Sequence, residues 1–203
     1  MIECLEHLRK SKQIRLFSER EEIMQTVRDI ALNPTRLSEV KPSYVTSFVN
    51  AVARMNIDDE EVWAGLAAYM SEHVETFDER DLSTHVYALY HAGKRKPIIL
   101  NFDDLFKKYE LELVKKFEMP GVSTQSISNA ILAYSKTQNG SVIFFRILEA
   151  VIIKHANMFS PQELANIVYS YHKSENAAVD PLLLDLRPTI MEKLHTFKPV
   201  ELC

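Results

Sequence analysis

Two stretches of the chain decide its fold. Ile127-Ser-Asn-Ala-Ile-Leu-Ala-Tyr-Ser-Lys136 and Leu164-Ala-Asn-Ile-Val-Tyr-Ser-Tyr-His-Lys173 repeat one order of apolar, small and polar residues, 164 − 127 = 37 residues apart. If the first residue of each stretch is position zero, apolar or aromatic side chains occupy positions zero, four and seven. These positions lie on one face of an α-helix. The two stretches therefore predict two equivalent amphipathic helices.

Two earlier stretches follow the same pattern. Val45–Arg54 and Leu82–His91 are separated by 82 − 45 = 37 residues, and the next interval is 127 − 82 = 45 residues. The eight additional residues include Lys94-Arg95-Lys96-Pro97, which we interpret as a lengthened turn. Position six is small in every copy, which indicates close approach between helices; its residues are Ala51, Ala88, Ala133 and Ser170.

Second helices are predicted between these first helices, because capping residues precede further apolar runs. The predicted helix starts are Asp58 with Glu61, Asp103, Ser141, and Asp180 with Pro181. Ser160, Pro161 and Glu163 predict a capping box at the start of a first helix. Left-handed helix ends are expected at Asn56, at Asn139-Gly140 and at Asn176.

The self-similarity predicts an all-α fold, a right-handed α-solenoid of helix–turn–helix repeats of about 37 residues. Residues 1–40 are interpreted as a degenerate N-terminal helical pair. Four helical-hairpin repeats are expected at about 41–77, 78–119, 123–159 and 160–197. Phe197–Leu202 matches Phe159–Leu164, so a fifth repeat is expected to begin there, in a sequence that is a fragment or is followed by further repeats.

Composition narrows the possible functions. The formal charge is 24 − 28 = −4 and the pI is about 6.0, which argues against a strong general nucleic-acid binder but leaves room for a local basic stripe. The two cysteines form no disulfide framework, which indicates a reducing compartment. The longest apolar stretch, Val142–Ile153, is interrupted by Arg146 and Glu149, so no membrane insertion is expected.

Motifs of catalysis are missing from the sequence. It contains no glycine-rich phosphate loop, Cys-x-x-Cys, His-Glu-x-x-His or Gly-x-Ser-x-Gly. Glu192 and His195 have the spacing of a di-iron ligand pair, but the second copy that such a site needs is missing. His85 is interpreted as a packed histidine. We therefore expect no catalysis, no cofactor, no metal and no small-molecule substrate.

The phrases Ser126–Lys136 and Glu163–Lys173 resemble the heptatricopeptide and octotricopeptide repeats, and the helical arrays of mitochondrial proteins that end in a RAP domain. The resemblance covers about residues 40 to 203. It implies mitochondria (the matrix) or plastids, RNA binding, and a role with ribosomal or messenger RNA. On this reading the protein is a component or assembly factor of the organellar ribosome, with ribosomal RNA and neighbouring proteins as its partners.

A ligand stripe is predicted along the first helices. Position nine is Arg54, His91, Lys136 and Lys173, and position two is Ser47, Thr84, Asn129 and Asn166. Positions two, six and nine share a helix face, where cations would contact phosphates and asparagines base edges. Tyr87 and Tyr169, at position five, are candidates for base stacking. The candidate nucleic-acid-binding residues are Arg54, His91, Lys94, Arg95, Lys96, Asn129, Lys136, Asn166 and Lys173.

Structural interpretations of the same residues stay open. A cation in the last turn of a helix stabilises the helix dipole by roughly 0.3–1 kcal/mol. Asparagines at a fixed position can bridge successive helices, and tyrosines at helical spacing are often core residues. Lys94–Lys96 can be a solvated turn instead of a contact loop. The alternative function is a protein–protein scaffold subunit of a large mitochondrial complex without RNA contact, which the net charge favours.

Overall fold

The structure is a computed structural model that describes residues 17–93 and 102–201. Within these ranges every regular element is helical, which confirms the all-α prediction. The helices are α1 Phe17–Ala31, α2 Pro34–Ser38, α3 Pro42–Arg54, α4 Glu60–Glu72, α5 Glu79–Gly93, α6 Asp103–Phe117, α7 Thr124–Thr137, α8 Val142–Lys154, α9 Pro161–Lys173 and α10 Val179–Lys193. Short 3₁₀ turns cover Val74–Thr76, Ala156–Met158, Leu194–Thr196 and Pro199–Glu201.

Side-chain caps start several of these helices. The Ser141 hydroxyl accepts a hydrogen bond from the Phe144 amide at 3.0 Å. Ser160 and Glu163 form the predicted capping box at α9, with Pro161 as its first residue. The prediction for α4 was wrong by one residue. The helix begins at Glu60, so the side chain in the capping position is that of Asp59, which accepts the Glu61 and Val62 amides.

Two further boundaries differ from the predictions. Asn56 has the expected positive φ of 56°, but α7 ends through Gln138, at φ 57°, instead of Asn139 or Gly140. Gly140 is needed for another reason, because a Cβ there would overlap the ring of Phe145. Asn176 does not have a positive φ; its side-chain amide donates to the Gly140 carbonyl at 2.8 Å.

The last helix starts slightly earlier than expected. Val179 is the first residue of α10, and Ala178 precedes it without a side-chain capping bond. Asp180 and Pro181 therefore lie in the first turn and do not cap it. Pro181 is tolerated there because the amides of a first turn have no intrahelical partner. The predicted lengthened turn at Lys94–Pro97 lies outside the described residues.

The core is formed by the positions that the repeat predicts. Eleven of the twelve side chains at positions zero, four and seven are buried, and Val168 is half-buried. The buried ones are Val45, Val49, Val52, Leu82, Val86, Leu89, Ile127, Ile131, Tyr134, Leu164 and Tyr171. The small residues at position six are buried as well. Their burial agrees with the close approach between helices that small residues at this position indicate, and it leaves positions two and nine as the exposed or half-buried part of the predicted stripe.

The described residues fall into two compact units. The first holds those within Met1–Phe77 and Ala88–Leu105, and the second those within Asp78–Tyr87 and Phe106–Cys203. In the first unit, Arg28 on α1 forms an ion pair with Asp59 at 2.6 Å. None of the helices in ranges 17–93 and 102–201 is long and apolar enough to cross a bilayer.

In the second unit, α7 and α9 lie side by side and point in the same direction. Near their N-terminal ends the Thr124 hydroxyl donates to the Glu163 carboxylate at 3.2 Å. At their C-terminal ends the Gln138 side-chain amide donates to the Lys173 carbonyl at 3.0 Å. Contacts at both ends require a parallel arrangement, so equivalent residues of the two helices lie next to each other.

The tyrosines at position seven make equivalent contacts in this unit. The Tyr134 hydroxyl donates to the Phe106 carbonyl on α6, and the Tyr171 hydroxyl donates to the Phe145 carbonyl on α8, both at 2.8 Å. The two rings of each pair are 5.4 Å apart. Phe106 and Phe145 are each the fourth residue of their helix. The helices α7 and α9 are thus anchored in the same way to the second helices that precede them, α6 and α8.

Candidate nucleic-acid interface

Two lysines of the predicted stripe and one of the predicted stacking tyrosines meet on the surface of the second unit. The Lys136 ammonium, near the end of α7, donates to the Tyr169 hydroxyl on α9 at 2.9 Å. It also lies 4.5 Å from the centre of the Tyr169 ring, and the Lys173 ammonium lies 6.0 Å from it. Tyr169 is 43% exposed, and both lysines are exposed. We call Lys136, Tyr169 and Lys173 the lysine–tyrosine cluster.

The two lysines give this cluster a positive charge, which affects the pKa of its phenol. The hydrogen bond from the Lys136 ammonium, together with its charge, lowers the pKa of the Tyr169 phenol from its ordinary value of 10.0. The more distant charge of Lys173 lowers it further. A cation over the face of an aromatic ring is also attracted by the ring quadrupole. The cluster therefore presents two cations and one accessible aromatic ring, groups that suit an anionic, planar ligand.

Gln138 holds the two helix ends together beneath the cluster. Its left-handed conformation ends α7 and turns the side chain towards α9. Its amide nitrogen donates to the Ser135 carbonyl at 2.7 Å and the Lys173 carbonyl at 3.0 Å, and its oxygen accepts the Glu175 amide at 3.2 Å. These bonds fix Lys136 and Lys173 next to each other. Gln138 was not predicted from the sequence, in which its only local signal is an amide side chain directly after the last helical residue.

The predicted asparagines share the helix faces of the lysines. Asn129 precedes Lys136 by seven residues and Asn166 precedes Lys173 by seven, which is about two helical turns. Both side chains are half-buried. The structure therefore brings four predicted stripe residues, together with the stacking candidate Tyr169, to adjacent faces of α7 and α9, with the cations at the C-terminal ends.

The remaining candidates are not part of this group. Arg54 is the exposed last residue of α3, in the first unit. His91 is half-buried in the last turn of α5, in the same unit, with its ring edge-on to Tyr90 at 5.1 Å. Tyr87, the other stacking candidate, is half-buried on α5. Lys94, Arg95 and Lys96 lie outside the described residues.

A completely buried ionisable pair in the second unit consists of a histidine and a tyrosine. His85 is completely buried, and its Nδ1 is hydrogen-bonded to the Tyr109 hydroxyl at 2.8 Å. Burial lowers the pKa of His85 from 6.5 to about 3. The same burial, with the charge of Asp81, raises the pKa of Tyr109 well above its usual value. The ring is therefore neutral and packed, as the sequence predicted.

No cluster of three or more His, Cys, Asp or Glu side chains with the arrangement of a metal site occurs among residues 17–93 and 102–201. Glu192 lies on α10, and His195 lies in the 3₁₀ turn that follows it. Comparison of the chain with models of known protein families and with curated proteins finds no match.

Proposed function

We propose that this chain is a non-catalytic helical-repeat protein that binds single-stranded RNA at the lysine–tyrosine cluster. The observation that carries the proposal is the exposed Tyr169 ring with the ammonium groups of Lys136 and Lys173 at 4.5 Å and 6.0 Å from its centre. A base would stack on the ring, and the lysines would contact the phosphates on either side of it. Asn129 and Asn166 would then be available to base edges.

The architecture that we propose for this function is the right-handed α-solenoid of about 37-residue repeats. Its support lies in the helix starts. α3 and α5 begin 79 − 42 = 37 residues apart, and α7 and α9 begin 161 − 124 = 37 residues apart. The parallel contacts between α7 and α9 are those expected between neighbouring repeats. A solenoid of this kind aligns equivalent surface residues of successive first helices, which is how a strand could be followed.

The expected affinity for RNA follows from base stacking on Tyr169 and from the phosphate contacts of the two lysines. Stacking of a base on an aromatic side chain is worth about 1–3 kcal/mol. Each phosphate neutralised on a single strand contributes about −0.7 to the slope of log affinity against log salt concentration, so two lysines give about −1.4. The net charge of −4 means that attraction is confined to the basic surface. We expect modest affinity and a shallow salt dependence.

The cellular setting is proposed from the resemblance alone. The heptatricopeptide- and octotricopeptide-like phrases favour the mitochondrial matrix, with organellar ribosomal RNA as the ligand. As a component or assembly factor of the organellar ribosome, the protein would also contact neighbouring proteins.

A protein scaffold without RNA contact is the second candidate. Large apolar side chains are exposed on the second helices, and such side chains are typical of surfaces that contact other proteins. The most exposed are Leu111 on α6, Ile143 on α8, and Leu184 and Met191 on α10, with exposed fractions of 60% to 72%. The net negative charge also suits this candidate.

The test is binding of the whole chain to a labelled single-stranded oligouridylate, followed by fluorescence anisotropy over a range of salt concentrations. Lys136→Gln and Lys173→Gln should each weaken binding and lower the salt slope by about 0.7. Tyr169→Ala should weaken binding with little change in slope. The matched control is Lys154→Gln, an exposed lysine at the end of α8, which should bind normally. Absence of binding at low salt would exclude the RNA proposal and favour the scaffold.

A further inference from the structure

The outer side of α10 carries an apolar groove. Its volume is about 510 Å³, and it is lined by Asp180, Leu183, Leu184, Arg187, Ile190 and Met191. All six residues belong to a single helix. Leu184 is 70% exposed and Met191 is 60% exposed. A helix of globular protein rarely leaves so much apolar surface uncovered unless another element packs there.

Comparison with α8 identifies which part of this surface is unusual. The two helices align with an offset of 38 residues, which pairs Phe144 with Leu182 and Leu148 with Leu186, all four buried. Residues that are exposed in α8 are also exposed at the paired positions of α10; these pairs are Ile143–Pro181, Arg146–Leu184 and Ile153–Met191. The helices differ along one stripe. Phe145 and Ile152 are buried, whereas their counterparts Leu183 and Ile190 are exposed and half-buried.

In α8 this stripe is covered by the next first helix, α9. The Tyr171 ring packs against Phe145, and its hydroxyl donates to the Phe145 carbonyl. The same arrangement occurs one step earlier, where Tyr134 of α7 covers Phe106 of α6. Two successive second helices thus bind a first helix in the same way, and α10 has the same stripe without such a helix among the described residues.

The turn after α10 has the form of a first-helix start. The Lys198 amide donates to the Glu201 carboxylate at 2.8 Å, as the Ser160 amide donates to the Glu163 carboxylate at 2.7 Å. Both intervals equal the helix offset, since 198 − 160 = 38 and 201 − 163 = 38. Pro199, like Pro161, directly follows the residue whose amide makes this bond. A helix entering from this turn would begin where α9 begins relative to α8.

We propose that the stripe of Leu183, Arg187 and Ile190 is the docking face for the first helix of a further helical hairpin that enters from the Pro199–Glu201 turn. Its position seven is a tyrosine or another aromatic residue, placed to pack on Leu183 as Tyr171 packs on Phe145. The occupant is thus defined by the repeat pattern itself, apolar at positions zero, four and seven.

Arg187 indicates which type of residue should stand at the start of the second helix of the docking hairpin. At the equivalent place in α6, the Glu110 carboxylate accepts hydrogen bonds from the Ser141 amide, at 2.7 Å, and the Ser141 hydroxyl, at 2.8 Å, at the start of α8. Arg187 replaces this acceptor with a cationic donor. The docking hairpin should therefore present a carboxylate, Asp or Glu, at the start of its second helix, where α8 has Ser141.

The experiment extends the chain in register. Residues 202–203 are replaced by a copy of residues 164–197. The first version keeps this copy unchanged. In the second version, the copy has Asp in place of Ala178, the residue that precedes α10 in the original chain. Docking should raise the urea midpoint of unfolding. It should also slow amide exchange in α10 tenfold for every 1.4 kcal/mol that docking contributes. The version with Asp should gain more than the unchanged copy.

Variants of the face test where the extension docks. Leu183→Asp in the extended chain should abolish the increase in the urea midpoint that the extension causes. Phe in place of Tyr171 in the copy should reduce this increase. Leu184→Asp is the matched control, because its counterpart on α8, Arg146, is exposed even though α9 packs on α8. This control should leave the increase in the urea midpoint unchanged. Each substitution is compared with the same change in the chain without extension.

Three results would overturn the proposal. These are an extension that adds no helical signal, a gain in stability that Leu183→Asp leaves unchanged, and equal protection of α10 by the copy supplied as a separate peptide. The last result would show that the Pro199–Glu201 turn has no part in docking.

Discussion

Two tyrosines on nearly opposite sides of α9 have opposite surroundings. Tyr171 is 1% exposed and its hydroxyl donates to a backbone carbonyl, whereas Tyr169, two residues earlier, is 43% exposed and has two ammonium groups near its ring. Burial raises the pKa of Tyr171, and the hydrogen bond and charge of Lys136 lower the pKa of Tyr169. One residue type thus serves packing on one face and a candidate binding surface on the other. Helix position, and not residue identity, decides which.

The largest expected effect on stability comes from the buried side of α9, which carries Tyr171 and is called the inner face; the exposed side, with Tyr169, is called the outer face. Tyr171→Ala should lower the free energy of unfolding by about 3–5 kcal/mol, the range for truncating a buried aromatic side chain. Tyr171→Phe removes only the hydrogen bond to the Phe145 carbonyl, which should cost about 0.5–1.5 kcal/mol. Urea denaturation measures both.

Tyr169→Ala is the matched variant on the outer face and should change the free energy of unfolding by less than about 0.5 kcal/mol. If it destabilised the chain as much as Tyr171→Ala, the separation of the two faces would be wrong, and Tyr169 would have to be regarded as a packing residue.

The sequence predicted the inner face better than the outer one. Burial at positions zero, four and seven follows from helical spacing, and the caps at Ser141 and Ser160 depend only on the next three residues. Both are local properties. The α4 cap was misplaced because Asp58 and Asp59 are chemically equivalent, so only the backbone decides which of them caps.

The lysine–tyrosine cluster was predictable only in part. Lys136 and Tyr169 were singled out at positions nine and five, but their contact depends on how α7 and α9 align, which no single repeat encodes. Gln138 was missed because its partners Lys173 and Glu175 are 35 and 37 residues away. The burial of position six likewise depends on neighbouring helices.

A second, smaller effect concerns the buried histidine. The pKa of His85 is about 3 in the folded chain and 6.5 in the unfolded one, so between these values the unfolded state binds a proton that the folded state does not. Stability should therefore be full above pH 6.5 and fall by about 1.4 kcal/mol for each pH unit below it.

His85→Gln keeps a neutral polar group beside Tyr109 and should remove this part of the pH dependence. The measurement is the difference in unfolding free energy between the two proteins from pH 7 to pH 4. A constant difference over that range would contradict a neutral, buried His85.

The smallest effect belongs to the outer face and links it to the proposed function. In an alkaline titration followed by phenolate absorbance, Tyr169→Phe should remove an early component. Lys136→Gln should raise the pKa of Tyr169 towards 10.0, and Lys173→Gln should raise it less, because Lys136 donates directly to the hydroxyl. Lys154→Gln should leave the titration unchanged.

The same titration in the presence of RNA tests whether the cluster is the binding surface. If phosphates engage Lys136 and Lys173, their negative charge should offset the cations beside the phenol, so an oligonucleotide should raise the pKa of Tyr169 and leave the buried phenol of Tyr171 untouched. A salt titration must accompany it, because screening alone moves the pKa in the same direction. If the oligonucleotide bound without shifting Tyr169 beyond the effect of salt, RNA would contact another surface, and the cluster would be a contact that joins α7 to α9.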